Sequence, residues 1–172
     1  MLTSLDMWAL CIQSFFRAAG YAFFVTWMFA FLEYVYEIEK AEAGMLNSLP
    51  LIGVVAGSLS GGVVVDGLLR LTGSKWISRS GTAAAALAST GLLTWASTWT
   101  SSPQHFSVII AAGALVSGLA GPAAWAATID VGGRQTAIAM GIMNMAGGAA
   151  TVILPVLLGN WFKQLRATGG DW

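Results

Sequence analysis

Charged residues are the scarcest feature of this sequence. Eight Lys and Arg and eight Asp and Glu make up 9% of its 172 residues, against roughly 25% in an ordinary soluble domain. Hydrophobic types account for 56%, and a soluble chain of this size would leave about 30% of its unfolded surface exposed to water. The composition therefore excludes a water-soluble globule and a disordered chain. Because positive and negative charges balance, it also excludes a basic nucleic-acid binder.

Cysteine and histidine are almost missing as well. Cys11 is the single cysteine and His105 the single histidine, so the sequence offers no internal disulfide and no cluster of the kind that holds zinc. It also contains no glycine-rich phosphate loop, no paired-histidine motif and no serine elbow. We therefore expect no catalytic centre, metal or cofactor, and we do not expect an enzyme.

Long stretches without charge are what the sequence does contain. Residues 80–129 carry no charged side chain, and a transmembrane helix needs only about 20 apolar residues. A polar break at Thr98–His105 divides this stretch in two. Helices are expected because backbone groups in lipid must bond within their own segment, and no alternating barrel pattern is present. The sequence predicts one all-α domain over 1–172, a multi-pass transmembrane helix bundle with about five spans at 8–32, 44–66, 81–99, 106–128 and 135–159.

Loop charges indicate how the bundle is oriented. The connection at 33–42 holds four glutamates, whereas two other connections hold Arg70, Lys75, Arg79 and Arg134. Cytoplasmic loops carry an excess of Lys and Arg, so the basic connections are predicted to face the cytoplasm, with the amino end inside and the carboxyl end outside. No cleavable signal peptide is visible. We expect a multi-pass protein of the cytoplasmic (inner) membrane, surrounded by the lipid bilayer.

Arg17 is a charged residue in the middle of the first predicted span. A charge near a helix centre costs about 2.5–3.5 kcal/mol on insertion scales, so its guanidinium is expected to meet protein or water. Two interpretations stay open. The side chain either extends to the cytoplasmic interface without a chemical role, or it points into an aqueous cavity and binds a carboxylate. Gln13 and Tyr21 lie four residues to either side on the same helix face, so the three are candidate substrate-binding residues suited to a polyhydroxy acid.

Three further residues have side chains suited to contact with a ligand. Asn144 lies deep in the fifth predicted span, where an unpartnered amide costs something like 1–3 kcal/mol. It is expected to bond either to a neighbouring helix or to a ligand. Trp125, near the end of the fourth span, and Trp27, in the first, either stack on a sugar-like substrate or mark the membrane interface. We count Asn144 and Trp125 among the candidate substrate-binding residues.

Glycine and proline are placed inside the predicted spans. The glycines of Gly53–Gly62 and Gly141–Gly148 allow helix backbones to approach closely, and they also allow helices to rock during transport. Pro50, Pro122 and Pro155 each remove a backbone donor, so we expect a kink or a local break at each of them.

The stretch Gly61–Arg79, GGVVVDGLLRLTGSKWISR, resembles the cytoplasmic loop signature of the major facilitator superfamily. The residues that fit the signature are Gly62, Asp66, Arg70, Gly73 and Lys75. The resemblance implies that this loop forms an inner gate in which the aspartate caps a neighbouring helix and pairs with an arginine. Asp66 would then reach the start of the fifth span near Arg134, and a carboxylate at a helix amino end is favourable by about 0.3–1 kcal/mol.

Two other stretches narrow the resemblance. Gln13–Trp27 is similar to the seventh helix of the anion:cation symporter branch of this superfamily, and Trp125–Gly147 resembles the connection between its tenth and eleventh helices. Members of the branch carry organic anions such as sugar acids, uronates or aromatic carboxylates, generally with protons. The resemblance matches Asn144 to the asparagine of the family's eleventh helix, and Gln13 and Tyr21 to polar cavity positions of the seventh. It matches Trp125 to the tenth helix less closely.

The resemblance also implies that much of a transporter is missing. The chain looks like the second half of a twelve-helix protein, from helix seven to helix eleven, without helix twelve and without the first half. Three hypotheses follow. The chain is part of an organic-anion transporter that needs its missing amino-terminal half; it is a truncated and inactive remnant; or it is a small membrane interaction protein that binds another membrane protein.

Overall fold

A computed structural model describes residues 4–167, with side chains up to Gln164. No strand occurs in this range, which confirms the predicted all-α helix bundle. The elements are α1 (Leu5–Thr26), α2 (Met28–Val35), α3 (Lys40–Thr72), a π-helical segment (Ile77–Gly81) leading into α4 (Thr82–Ser97), α5 (Pro103–Gly132), a 3-10 turn (Gly133–Gln135) and α6 (Thr136–Ala167).

Three helical stretches are long and apolar enough to cross a membrane: Leu5–Thr26, Lys40–Thr72 and Pro103–Gln164. The third has 62 residues, far more than the roughly 20 that one crossing needs. It turns at Gly133, where φ is 49°, and α6 packs against α5. The bundle is that of a membrane protein, whereas the number of five spans stays a prediction. The carboxyl end, predicted to face outside, lies beyond the described residues.

The helices continue through all three prolines. Pro50, Pro122 and Pro155 lie inside α3, α5 and α6. Of the kink or local break expected at each proline, the break does not occur, and the kink stays a prediction. Packing in a bundle lets neighbouring groups accommodate a proline in a membrane helix. The predicted first span is instead interrupted at Trp27, between α1 and α2. There the Thr26 hydroxyl donates to the Ala22 carbonyl oxygen, a bond that competes with the helix backbone and bends it.

Glycines bring α3 and α5 into backbone contact. Gly53, Gly57 and Gly61 recur at every fourth position of α3 and face α5, whose Gly118 faces them in turn. A Cβ added at Gly53 would lie 2.6 Å from the Ala111 carbonyl oxygen, and one added at Gly118 would lie 2.7 Å from that of Val54. Because only glycine allows such an approach, these residues serve close helix packing.

A second close contact joins α1 to α6. A Cβ added at Gly147 of α6 would lie 2.9 Å from the Ser14 hydroxyl oxygen of α1. Met7, Cys11 and Met143 are buried in the same region, packed also against α5. As a result α6 covers one side of α1. Other residues of α1 line a gap together with α4 and α5.

Tyr36, which follows α2, ties this end of the bundle together. Its hydroxyl donates to the Thr100 carbonyl oxygen at 2.9 Å, and its ring packs against Phe31 and Phe106. Burial raises the pKa of the Tyr36 phenol above its ordinary value of 10.0. The folded state therefore favours the neutral phenol more strongly than the unfolded chain does.

We expect this phenol to make stability depend on pH in alkaline solution. Its contribution is present below the unfolded pKa of about 10 and falls as the pH rises above that value, because the unfolded tyrosine ionises first. Tyr36→Phe should cost about 0.5–1.5 kcal/mol at neutral pH, the value of one hydrogen bond, and should flatten the profile. Thermal unfolding in detergent between about pH 8 and 11 measures both effects. An equal alkaline decline in the variant would contradict the assignment.

Candidate functional site

Arg17 lies on the side of α1 that α6 leaves uncovered. Its guanidinium is next to α5, since a Cβ built at Gly121 would lie 3.8 Å from Arg17 Nη1. The Nε atom is buried and has no hydrogen-bond partner among the described residues. A side chain that extends to the membrane interface keeps its polar atoms in water. The geometry therefore favours the other interpretation, in which Arg17 points between helices.

The space around this side chain, which we call the Arg17 cavity, has a volume of about 410 Å³. This lies within the usual range of small-molecule sites, about 300–1,000 Å³. No aspartate or glutamate of the described chain lines it, so nothing in the cavity neutralises the guanidinium. The Thr90 hydroxyl lies 3.0 Å from the Gly113 carbonyl oxygen and joins α4 to α5 at this point. The polar side chains that line the cavity are Arg17, Tyr21, Thr90, Thr94 and Ser117.

A second space, the Arg79 cavity, lies beside the first and has a volume of about 580 Å³. Phe16 and Leu87 line both cavities. Gln13 lines the Arg79 cavity, and both atoms of its amide are buried without a hydrogen-bond partner in the described part of the chain. The stripe of Gln13, Arg17 and Tyr21 therefore faces two adjoining cavities along α1.

Asp130, near the end of α5, is the centre of an ion-pair cluster. Its carboxylate accepts from Lys75 Nζ at 3.0 Å and pairs with the Arg79 guanidinium. Arg79 also donates from Nη1 to the Ala126 carbonyl oxygen at 3.1 Å, and Ser78 donates to the Val65 carbonyl oxygen at 2.6 Å. These bonds fix the π-helical segment between α3 and α5. This cluster was not predicted from the sequence, although Lys75 and Arg79 are four residues apart and so share a helix face.

The two charged residues expected to meet in the predicted gate are not paired among the described residues. Asp66 and Arg134 are both exposed, and neither takes part in an ion pair within residues 4–164. Gly62 and Arg70 lie on α3, Arg70 exposed in its last turn. Gly73 ends the helix with φ of 65° and donates its N–H to the Leu69 carbonyl oxygen, a conformation that favours glycine. The assignment of these residues to an inner gate stays a prediction.

Two aspartates at this end of the bundle should respond differently to substitution. Asp130→Asn leaves Arg79, only 15% exposed, without its counterion, which should cost about 1–3 kcal/mol. Asp66→Asn removes no observed partner and should change stability by less than about 0.5 kcal/mol. Thermal unfolding of both variants in the same detergent gives the comparison. If Asp66→Asn lowered the stability by more than about 0.5 kcal/mol, the Asp66 carboxylate would have a partner in the folded protein.

Asn144 and Trp125 are not brought into either cavity. Both are exposed, Trp125 by 54%, and neither is among the side chains that line the Arg17 or the Arg79 cavity. On α6 the neighbours Met143 and Gly147 face inward, so Asn144 lies on the outer side. Their roles in substrate binding stay predictions, which would require contact across this outer surface.

Comparison with known proteins reveals a distant similarity to a probable transporter. No protein-family model matches the chain. It is 23% identical, over 153 residues, to the probable sulfoacetate transporter SauU of Cupriavidus necator. The chain is similar to a transporter. The alignment covers 89% of this chain and 36% of the relative, so the chain spans about a third of the relative's length.

This similarity supports the coarser predictions made from composition. The long apolar helices are those of a membrane protein, and the relative is named as a probable transporter.

Proposed function

We propose that this chain forms part of the substrate path of a membrane transporter for small organic anions. The family resemblance of the sequence motifs implies sugar acids and related carboxylates, and the name of the Cupriavidus relative adds a sulfonated acid, sulfoacetate. All of these substrates present an oxyanion group, which a guanidinium binds through two parallel hydrogen bonds.

The observation that carries this proposal is the unneutralised guanidinium in the Arg17 cavity. Arg17 Nε is buried without a hydrogen-bond partner among residues 4–164, and the side chains around it contribute hydroxyls but no carboxylate. An anion would restore the missing bonds and balance the charge. The hydroxyls of Tyr21 and Ser117 also line the cavity and are suited to the remaining oxygens of a hydroxylated acid.

We further propose that the chain corresponds to helices seven to eleven of a major facilitator superfamily transporter of the anion:cation symporter branch. The three motifs support this assignment. Alternating access requires one helix bundle to rock against another, so transport would need a partner half. Proton coupling would then draw its carboxylate from that half, because the Arg17 cavity provides none.

Reconstitution of the chain with a partner half tests this function. The chain should be expressed alone and together with the part of the Cupriavidus relative that the alignment leaves uncovered, and uptake of labelled sulfoacetate and of a labelled sugar acid measured in membrane vesicles. We expect uptake only when both parts are present. Correct insertion of both parts with neither uptake nor binding would contradict the proposal and support the inactive remnant. Stable co-purification with an unrelated membrane protein would support the interaction protein.

A further inference from the structure

Gln13 and Arg79 share one cavity although they lie 66 positions apart in the sequence. Gln13 comes from α1, and Arg79 comes from the π-helical segment that leads into α4. Most of the remaining lining is apolar and is provided by α1, α4 and α5, with small side chains such as Ala83, Ala84 and Ala123 on the last two helices. A few polar groups converging in a largely apolar space are typical of a small-molecule site.

The polar groups of this cavity have unused bonding capacity. Both amide atoms of Gln13 are buried without a partner, and so is Arg79 Nε, among the described residues. Arg79 Nη1 is already bonded to the Ala126 carbonyl oxygen. Since a buried donor without an acceptor is unfavourable, an acceptor that bonds to Arg79 Nε and to the Gln13 amide would be stabilised here.

The charges around the cavity favour an anionic acceptor. Asp130 is shared between Lys75 and Arg79, so the cluster of two cations and one carboxylate keeps one net positive charge. Asp6 also lines the cavity, but it is exposed in the first turn of α1. An anion is therefore attracted to the end formed by Gln13 and Arg79 and repelled from the end near Asp6.

The two cavities are close enough to act in sequence. Arg17 approaches α5 at Gly121 and Arg79 at Ala126, five residues or roughly 7.5 Å further along the helix axis. The side chains of Phe16 and Leu87 lie at the boundary, since they line both cavities. An anion released from Arg17 would meet the second guanidinium after passing these two side chains.

We propose that the Arg79 cavity is a second anion-binding site, in which Arg79 and Gln13 hold the carboxylate or sulfonate group of the same small organic acid. This proposal rests on the proposed transport of organic anions. The site gives the substrate a second binding position beyond Arg17, on the side of the bundle where Lys75, Arg79 and Asp130 cluster.

Two engineered cysteines can report on the two cavities separately. In a Cys11→Ala background, Ala84→Cys reports on the Arg79 cavity and Gly91→Cys on the Arg17 cavity, because both positions line their cavities and are exposed. The purified chain in lipid nanodiscs is treated with a neutral methanethiosulfonate reagent, and the labelling rate is measured against sulfoacetate concentration. Acetamide is the uncharged control ligand. Lys75→Gln tests whether the loss of another cation beside Asp130 has the same effect on labelling as the loss of Arg79.

The expected result is a separate dependence on each arginine. Sulfoacetate should protect both cysteines. Arg79→Gln should raise the protecting concentration at Ala84→Cys by roughly tenfold or more, the effect of losing one hydrogen bond to a charged group, and leave Gly91→Cys unchanged. Arg17→Gln should do the reverse. Lys75→Gln removes the net positive charge of the cluster but no hydrogen-bond donor that lines the cavity. It should therefore weaken protection at Ala84→Cys by less than Arg79→Gln does and leave Gly91→Cys unchanged, and acetamide should protect neither.

A second variant keeps the test decisive if Arg79→Gln fails to fold. Gln13→Leu breaks no hydrogen bond within residues 4–164 and should weaken protection of Ala84→Cys by roughly threefold, the effect of one neutral hydrogen bond. If Arg17→Gln removes protection at both cysteines, and Gln13→Leu and Arg79→Gln have no effect, the chain has a single binding site. That result would overturn this proposal and leave the proposed function intact. No protection at either cysteine in the parent chain would overturn both.

Discussion

Gly57→Ala should separate α3 from α5 and strongly destabilise the bundle. A Cβ at Gly57 would overlap the Leu115 carbonyl oxygen and lie 2.9 Å from the Leu115 carbonyl carbon and 3.0 Å from Gly118 Cα. All three are backbone atoms, so no side-chain rotation relieves the overlap. We expect a loss at or above the upper end of the roughly 1–3 kcal/mol that overpacking usually costs.

Gly62→Ala is the matched control on the same helix. A Cβ there meets nothing within 4 Å, and alanine is favoured over glycine in a helix by about 1 kcal/mol. The control should be neutral or slightly stabilising. The midpoint of thermal unfolding in detergent, together with the monodisperse fraction after solubilisation, compares the two variants. Equal behaviour would show that α3 and α5 do not touch at Gly57 in the membrane.

The sequence predicts this contact only in part. The repeated glycines of Gly53–Gly62 indicate that α3 approaches another helix closely, because small residues have this function in membrane helices. They do not identify the partner, since α5 and α6 both contain glycines. The position of Gly118 against Gly57 depends on how the whole bundle folds.

The sequence alone also does not predict which way a single polar side chain faces in the bundle. In a soluble protein the polar face of a helix marks the solvent side, but helices such as α3 and α5 are apolar on nearly every face because lipid surrounds them. Asn144 was therefore expected to be buried, whereas it lies on the outer side of α6. For Arg17 the sequence predicts only that the guanidinium meets protein or water, because a charge inside a membrane span is costly in lipid.

The ion-pair cluster at Asp130 shows a similar limit. The charges of Lys75, Arg79 and Asp130 are visible in the sequence, and all lie near predicted helix ends. Their pairing depends on the π-helical segment at Ile77–Gly81, which changes the direction in which Arg79 points. Such insertions into a helix occur frequently at functional sites, but no residue pattern in this sequence predicted one.

On the proposed function, Arg17→Ala should abolish uptake of organic anions when the chain is reconstituted with a partner half. The guanidinium offers two parallel charge-assisted hydrogen bonds to one oxyanion, each worth about 1.5–3 kcal/mol. Their joint loss corresponds to roughly 100-fold or more in affinity. Uptake of labelled sulfoacetate by proteoliposomes, corrected for the amount of inserted protein, measures the effect. Lys40→Gln is the charge-matched control, because Lys40 is exposed and pairs only with Glu33 among the described residues.

Arg17→Lys separates the two interpretations of this residue. If the side chain only reached the membrane interface, any cation on a flexible stem would serve, and lysine would transport as well as arginine. If Arg17 binds the substrate, lysine keeps the charge but loses the planar pair of donors, so uptake should fall by roughly tenfold, the effect of one lost charge-assisted hydrogen bond. Normal uptake by both Arg17→Ala and Arg17→Lys would remove Arg17 from the substrate path, and with it the observation on which the proposed function depends.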